Sequence, residues 1–301
     1  MNLVISASGY LGMAICQKLT ASGLPVRGLV RKTSDTGRMN ALKAMGVELV
    51  YGDVREPESL AAACKGVEMV IASATMATDA FRQPTDSIEA TDQQGHLNAI
   101  AAAKAAGVKQ YVYVSYSGNI DAGPNPCPLT VAKRTVEAAV RASGMTYTIL
   151  RPTYFSEVWL SPVVGFDYPN AKASIYGEGQ NKISWISLVD VAEFAVRSLG
   201  HPAALNAVIE LGGPQALSPL EVVAVFEKVS GRHFEVSHVP VAALQAQQAG
   251  ATDSLSKSFS GLMIGYAQGD VIDMRATLQK FPITLTSVQE YAQRVSAPVP
   301  A

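Results

Sequence analysis

Charge is scarce in this chain of 301 residues. Only 16 % are Asp, Glu, Lys or Arg, acids and bases nearly cancel to −1, and no block of Lys or Arg stands out. That balance excludes the basic face with which proteins neutralise a phosphate backbone, so no nucleic-acid partner is expected. Cysteine is scarcer. Cys16, Cys64 and Cys127 are three, far apart and without metal-ligand spacing. This excludes a disulfide framework and predicts reduced thiols in a cytoplasmic protein. The four histidines and the dispersed acids show no metal motif either, so no metal is expected. No apolar run has the length of a bilayer span. Met1 enters an apolar strand with no basic stretch or cleavage site, which predicts no secretory signal and no membrane. Hydrophobic residues, by contrast, make up 48 %, enough for a substantial core in one large or two modest domains.

The apolar residues fall into a rhythm. Strand-like runs at Leu3–Ser6, Val26–Val30, Val47–Tyr51, Met69–Ala72, Tyr111–Ser115 and Tyr147–Leu150 alternate with helical patterns at Leu11–Ala21, Arg38–Met45, Pro57–Cys64, Asp86–Ala106 and Val131–Ser143. Gly23, Gly46, Gly66, Gly107 and Gly144 follow the helices and read as their stops. Continuous apolar strands with helices between them predict an α/β fold with a doubly wound parallel sheet, whose ligands lie beyond the C-terminal strand ends. From Pro152 the rhythm breaks. Tyr176 to Lys182 reads as a turn between two short strands, Asp190–Leu199 as a helix, Ala207–Leu211 as a buried strand, and the remainder as mostly helical with a strand at Phe234–Val239. The expected division is 1–151 plus about 183–212 for a nucleotide-binding domain, and about 152–182 plus 213–301 for a smaller substrate lobe.

The most specific feature is the turn between the first strand and the first helix. Ser6, Ser8, Gly9, Tyr10, Leu11 and Gly12 form a candidate cradle for a pyrophosphate. Gly9 is expected to take backbone angles closed to other residues, and Gly12 to let the main chain approach the anion at the helix N-terminus. Arg31 ends the second strand about twenty residues on, where an acid would receive the ribose hydroxyls of NAD. Arg cannot accept a hydrogen bond but suits a 2′-phosphate. Given the glycine turn, this is preferred to a plain exposed surface arginine, so NADP(H) is expected over NAD(H), with Lys32 beside it. Asp53 ends the third strand and is either an acceptor for the adenine amino group or a helix cap. Ser73 and Ala74 end the fourth strand, where small residues either leave room for a ribose or form an ordinary turn. Lys133 opens a helix. It either holds the nicotinamide ribose and acidifies a proton donor, or makes a surface pair with Glu137.

Together these residues resemble a known family. Ser6–Gly12, Val30–Arg31, Gly52–Asp53, Gly107–Ser115, Ala132–Arg134 with Glu137, Leu150–Pro152, Val189–Glu193 and Glu210–Gly213 are similar to the NmrA-like group of atypical short-chain dehydrogenase/reductases. That group includes NAD(P)H:quinone, triphenylmethane and isoflavone-reductase-like enzymes. The resemblance covers about Leu3 to Val239. It implies a Rossmann domain, a small C-terminal substrate lobe and NADP(H) in the crevice between them. It implies that Gly9 and Gly12 hold the pyrophosphate, Arg31 and Lys32 the 2′-phosphate, Asp53 the adenine and Lys133 the nicotinamide ribose, with Tyr154 and Phe155 beside the nicotinamide.

Two departures stand out. Ser6 replaces the first glycine of the usual pattern and is tolerated where its backbone angles are ordinary. Leu129, four residues before Lys133, stands where typical short-chain dehydrogenases carry a tyrosine acid, a loss that many NmrA-like proteins share. Tyr116 is a candidate substitute or an aromatic packed on the loop 118–128, with Ser115 and Ser117 weaker candidates. His96 reads as structural. The implied activity is NADPH-dependent hydride transfer to a planar, apolar, electron-poor acceptor, a quinone first. Thr153–Leu160, with Trp185 a weaker candidate, either lines one wall of that site or packs between the lobes. A quinone suits a site lacking a tyrosine acid, because its reduced oxygen is a stabilised anion that can be protonated by water. The alternatives are an NADP(H)-binding redox sensor and an isoflavone or phenolic-ether reductase. The chain is expected to be a monomer or homodimer.

Overall fold

In the computed structural model, which describes residues 1–77, 86–122 and 126–297, the apolar runs of the first half assemble into a parallel sheet. The strands in chain order are β1 (Asn2–Ile5), β2 (Val26–Val30), β3 (Glu48–Tyr51), β4 (Met69–Ala72), β5 (Gln110–Val114), β6 (Thr146–Pro152), β7 (Phe166–Asp167), β8 (Lys172–Tyr176), β9 (Ala207–Leu211) and β10 (Glu235–Val239). The seven-stranded sheet has the order β3-β2-β1-β4-β5-β6-β9. Its pairings from β3 through β6 are parallel. Ile5, the last residue of β1, lies opposite Leu29 of β2 on one side and Ala72 of β4 on the other. The strand order therefore reverses at β1, and its C-terminal end is the place where such sheets bind ligands.

The connecting helices are α1 (Tyr10–Ala21), α2 (Thr36–Ala44), α3 (Pro57–Cys64), α4 (His96–Ala105) and α5 (Pro128–Ala142). Because helices cover the sheet, β1 and β5 are buried along their whole length, whereas the edge strand β3 is half exposed. The glycines that follow the helices take φ between 67° and 82° at positions 23, 46, 66, 107, 144 and 200, the left-handed stop expected of them.

Two compact units are present. The first comprises 1–116, 128–151 and 191–209, and the second 117–127, 152–190 and 210–301. The first has its core where Leu3, Ile5, Val70, Tyr111, Tyr113 and Ile149 meet Leu60, Ile100 and Val136 from the helices. The second contains the small sheet β10-β8-β7. Its helices include α6 (Ser156–Trp159), α8 (Pro219–Ser230), α9 (Val241–Gly250) and α10 (Ser254–Gln268), while α7 (Leu188–Arg197) crosses the division between the units. A buried aromatic group of Tyr154, Trp159, Trp185 and Tyr266 lies in the second unit, with Tyr154 and Trp159 edge to face at 4.9 Å.

Two local expectations are corrected. The single helix expected over 86–106 is a π-helix, Ile88–Gly95, continuing into α4. Its wide turn is fastened by Asp92, whose Oδ2 accepts from Met76 N at 2.9 Å. The turn after Tyr176 leads from β8 not to a second strand but to isolated bridges. The parallel partner of β8 is β10, in register from Glu235↔Lys172 to Val239↔Tyr176, and Ile183 makes only isolated bridges to Leu217 and Asp270.

Candidate cofactor and active site

The turn after β1 is built differently from the sequence expectation, yet it achieves the same thing. Ser6, not Gly9, adopts the left-handed conformation, with φ 68°. Gly9 is extended at φ −71°, ψ 164°. The ordinary angles on which Ser6 was expected to fit are therefore absent, and the serine bears a backbone strain that glycine would avoid. Gly12 makes room for the chain itself. A Cβ there would lie 2.1 Å from the Ser6 carbonyl oxygen and 2.9 Å from Ala7 Cα. The Ser6 carbonyl also accepts from Gly9 N at 3.0 Å, which closes the turn. α1 then starts with no side-chain cap and no acid in its first turn. Its first N–H groups and positive dipole end thus meet no anionic competitor from the helix itself. Leu11 is buried beneath, and Tyr10 is exposed with the Arg38 guanidinium 4.2 Å from its ring centre.

A charged cluster flanks this turn within the first unit. Arg31 follows β2, and its Nη1 donates to Asp86 Oδ2 at 3.4 Å. Arg55 pairs with Asp86 Oδ1 and donates to both oxygens of Asp53. Ser34 and Ser8 share a hydroxyl hydrogen bond of 2.9 Å, and Arg38 Nη1 donates to the Ser8 carbonyl at 3.1 Å. Lys32 is exposed. The helix-cap alternative for Asp53 is overturned, because the N-cap of α3 is Glu56 and Asp53 receives Arg55 instead. Burial disfavours the charge on Asp53, but the hydrogen bonds and charge of Arg55, with Arg31 behind, outweigh it and hold the carboxyl below its usual range. The sequence reading missed Arg38, Arg55 and Asp86. Arg38 had a signal, since it lies in the first turn of the helix that follows Arg31. Asp86 had none, being brought 55 positions along the chain to Arg31 by the fold alone.

At the next strand ends, Ser73 Oγ donates to the Ile5 carbonyl at 3.4 Å, and the Ala74 carbonyl receives His96 Nε2 at 2.8 Å. Beside them lies Lys133, only 6 % exposed. Its Nζ donates to the Val114 carbonyl at 3.3 Å, stands 3.9 Å from Asp92 Oδ1 and 5.3 Å from the ring centre of Tyr113. The alternative of a surface pair with Glu137 is overturned, because both residues are buried. Glu137 instead accepts from Ser115, Arg134 and Arg151, tying α5 to β5 and β6. Burial pushes the Lys133 ammonium down and the Asp92 carboxyl up, and each charge opposes the other's shift. His96 is pushed down to about 3 by burial and by Lys133, so its imidazole is neutral.

The remaining candidates separate. Ser115 is committed to Glu137 and Ser117 to Asp270. Tyr116 is half-buried, and its carbonyl accepts from Arg134 Nη1. Residues 123–125 of the loop proposed to pack on it lie outside the described residues. Tyr154 and Trp185 do not form an open wall. Both are buried in the second unit, where the Tyr154 hydroxyl donates to the Leu262 carbonyl and Trp185 Nε1 to the Leu217 carbonyl. Phe155 remains partly exposed. Burial pushes the Cys16 thiol up to about 12 and Cys64 to about 11, so neither is a ready nucleophile. Among the described residues no group of three or more His, Cys, Asp or Glu side chains is placed to hold a metal, and no helix is long and apolar enough to cross a membrane.

Known proteins agree with this architecture. The chain is 32 % identical over 269 residues to an NAD(P)H azoreductase of Xenophilus azovorans, covering 87 % of this chain and 86 % of that protein. It is 30 % identical over 246 residues to the photosystem II assembly factor Ycf39 of Synechocystis, covering 81 % and 72 %. Its fold is like that of the NADPH-dependent quinone oxidoreductase QOR2 of Escherichia coli complexed with NADPH, with a TM-score of 0.78, 24 % identity and 98 % and 99 % of the two chains covered. The family model described as NmrA-like matches residues 2–292. With seven parallel-wound strands, an uncapped first helix and this match along nearly its whole length, the chain belongs to the NmrA-like family.

Proposed function

We propose that the protein is an NADPH-dependent reductase of small planar acceptors, with a quinone as the leading substrate class. The observation that carries the reading is the start of α1, which offers main-chain donors at the switch point of the sheet with no side-chain cap and no acid in its first turn. A pyrophosphate fits there, because Gly9 and Gly12 present no side chains and the Ser6 carbonyl is turned under Gly12. Arg31 would bind a 2′-phosphate by exchanging its long contact with Asp86 for a charge-assisted one. Arg38, held beside Ser8, would add a second guanidinium to the same region. The likeness to a named NAD(P)H azoreductase supports a reductase in general.

When bound, NADPH supplies a hydride for the acceptor. Lys133 would donate to the ribose hydroxyls through the protons not used on the Val114 carbonyl. Leu129 has no proton to give, so the acceptor oxygen would be protonated by water, which suits a quinone whose reduced oxygen is a stabilised anion. The chain's contribution is then orientation and the exclusion of side reactions.

Leu129 together with the likeness to assembly factors also favours a second reading, that of a cofactor-binding protein without turnover. The test is NADPH consumption with a panel of quinones and azo dyes, alongside binding measured by calorimetry. Turnover with at least one planar acceptor is expected. Binding without turnover on any of them supports the second reading, and absence of binding overturns both.

A further inference from the structure

Lys133 lies among buried polar atoms that ordinary packing does not explain. Asp92 Oδ1, His96 Nδ1 and the Tyr113 hydroxyl are buried without a hydrogen-bond partner among the described residues. His96 and Tyr113 stand edge to face at 4.9 Å, and Lys133 Nζ lies over the Tyr113 ring, 5.3 Å from its centre. A buried ammonium ion requires an opposite charge and hydrogen-bond acceptors. The only hydrogen bond it donates among the described residues is to the Val114 carbonyl.

The charged and titratable groups around it can be sorted by element. From α4, His96 is neutral, with Nε2 given to the Ala74 carbonyl. From β5, the Tyr113 hydroxyl is pushed well above its ordinary range by burial and stays protonated. On α5 itself, Arg134 repels Lys133, and Glu137 attracts it but is already bound by Ser115, Arg134 and Arg151. From the π-helix, Glu89 acts on Asp92 as a like charge. Asp92 is left as the counter-charge.

Its two oxygens divide the work. Oδ2 is anchored by Met76 N just beyond β4, and Oδ1 faces Lys133 at 3.9 Å. The wide π-helical turn carries both Asp92 and Gly95 inward, as both are buried. π-Turns of this kind often mark sites where a side chain has been re-aimed for function.

We propose that Asp92 is a positioning residue for this site: it keeps Lys133 in its ammonium form and holds Nζ at the C-terminal end of β5, so that a ligand meets a donor-only cation rather than an amine. The functional consequence rests on the reading of Lys133 as a ligand-contacting group, but the charge pairing can be tested without ligand or turnover.

The experiment is a carbon-13 NMR titration of the whole chain labelled at lysine Cε, with the Lys133 resonance assigned by its loss in Lys133→Arg. In Asp92→Asn, which keeps the acceptor for Met76 N, the Lys133 midpoint is expected to fall by about one pH unit or more, a tenfold rise in the neutral amine at a given pH, and Asp92→Glu should recover most of that shift. A folded Asp92→Asn protein with an unmoved midpoint overturns the proposal. Should Asp92→Asn fail to fold, the reverse arm decides. With Asp92 labelled at Cγ, Lys133→Met should raise the aspartate midpoint by about one unit or more, and an unmoved aspartate overturns the pairing. If the coupled shifts appear but NADPH does not bind, the proposed function fails while this inference stands.

Discussion

Replacing Gly12 by Ala reverses a sign that helix propensity alone would assign. Gly12 is the third residue of α1. In an open helix, alanine is preferred to glycine by about 1 kcal/mol. Here the new methyl would stand 2.1 Å from the Ser6 carbonyl oxygen and 2.9 Å from both Ser6 C and Ala7 Cα, all main-chain atoms. Ordinary carbon–oxygen contact is more than an ångström wider, so either the turn or the helix must move. Overpacking of this kind typically costs about 1–3 kcal/mol, which cancels the propensity gain and leaves Gly12→Ala destabilised by up to ~2 kcal/mol. The displaced part is the turn that would cradle the pyrophosphate, so NADPH affinity should fall by about tenfold or more, on the scale of about 1.4 kcal/mol per decade. The internal control is Gly250→Ala at the end of α9, where a Cβ would meet nothing within 4 Å. That substitution should be neutral or slightly stabilising. Thermal melts and calorimetric titration of the two variants side by side measure both effects. A Gly12→Ala protein that melts higher than the parent and binds NADPH unchanged would refute the close approach of Ser6 and the cradle built on it.

Further outcomes follow from other contacts. Arg31→Ala should weaken NADPH by about tenfold or more while changing NADH little, the scale of one lost charge-assisted contact; equal losses for both nucleotides in parallel titrations would remove the 2′-phosphate assignment. Glu137→Gln should destabilise the fold by ~3 kcal/mol at neutral pH, because a fully buried carboxylate with arginine partners is broken. Burial opposes ionisation of Glu137, but Arg151, Ser115 and Arg134 hold its carboxyl below the ordinary 4.5. Its contribution is therefore complete above that value and lost as pH falls through the lower folded one. Chemical denaturation across an acid series should show the parent and Glu137→Gln converging, and a constant gap would contradict the pairing. Tyr154→Phe should cost ~1 kcal/mol through the lost hydrogen bond to the Leu262 carbonyl and leave NADPH affinity unchanged; a marked loss of affinity would return Tyr154 to the cofactor site.

Much of the architecture was legible because it rests on local rules. Pro57–Cys64 and Val26–Val30 fall where proline, glycine and apolar runs place them, and the apolar strands separated by helices mark a parallel sheet covered by its crossover helices. The division of labour inside the first turn was not legible. Sequence assigns the special backbone to glycine, whereas the fold imposes it on Ser6 because Gly12 must pass beneath the Ser6 carbonyl, a contact made only once α1 packs on β1. The π-helix was hidden for a related reason. Its distinguishing contact joins Asp92 to Met76, 16 positions earlier, and hydrophobic periodicity does not report such a bond. The aromatic residues after Pro152 stayed open between a ligand wall, which the resemblance favoured for Tyr154 and Phe155, and packing; burial decided that Tyr154 and Trp185 serve the interior of the second unit.

On the proposed reading, main-chain donors at the start of α1 and the Arg31 guanidinium together would bind a phosphorylated nicotinamide dinucleotide. Isothermal calorimetry of the intact protein with NADPH and NADH tests it most directly. Saturable binding of NADPH is expected, with NADH weaker by about tenfold or more. No heat with either nucleotide at millimolar concentration, and no rise in melting temperature, would contradict it.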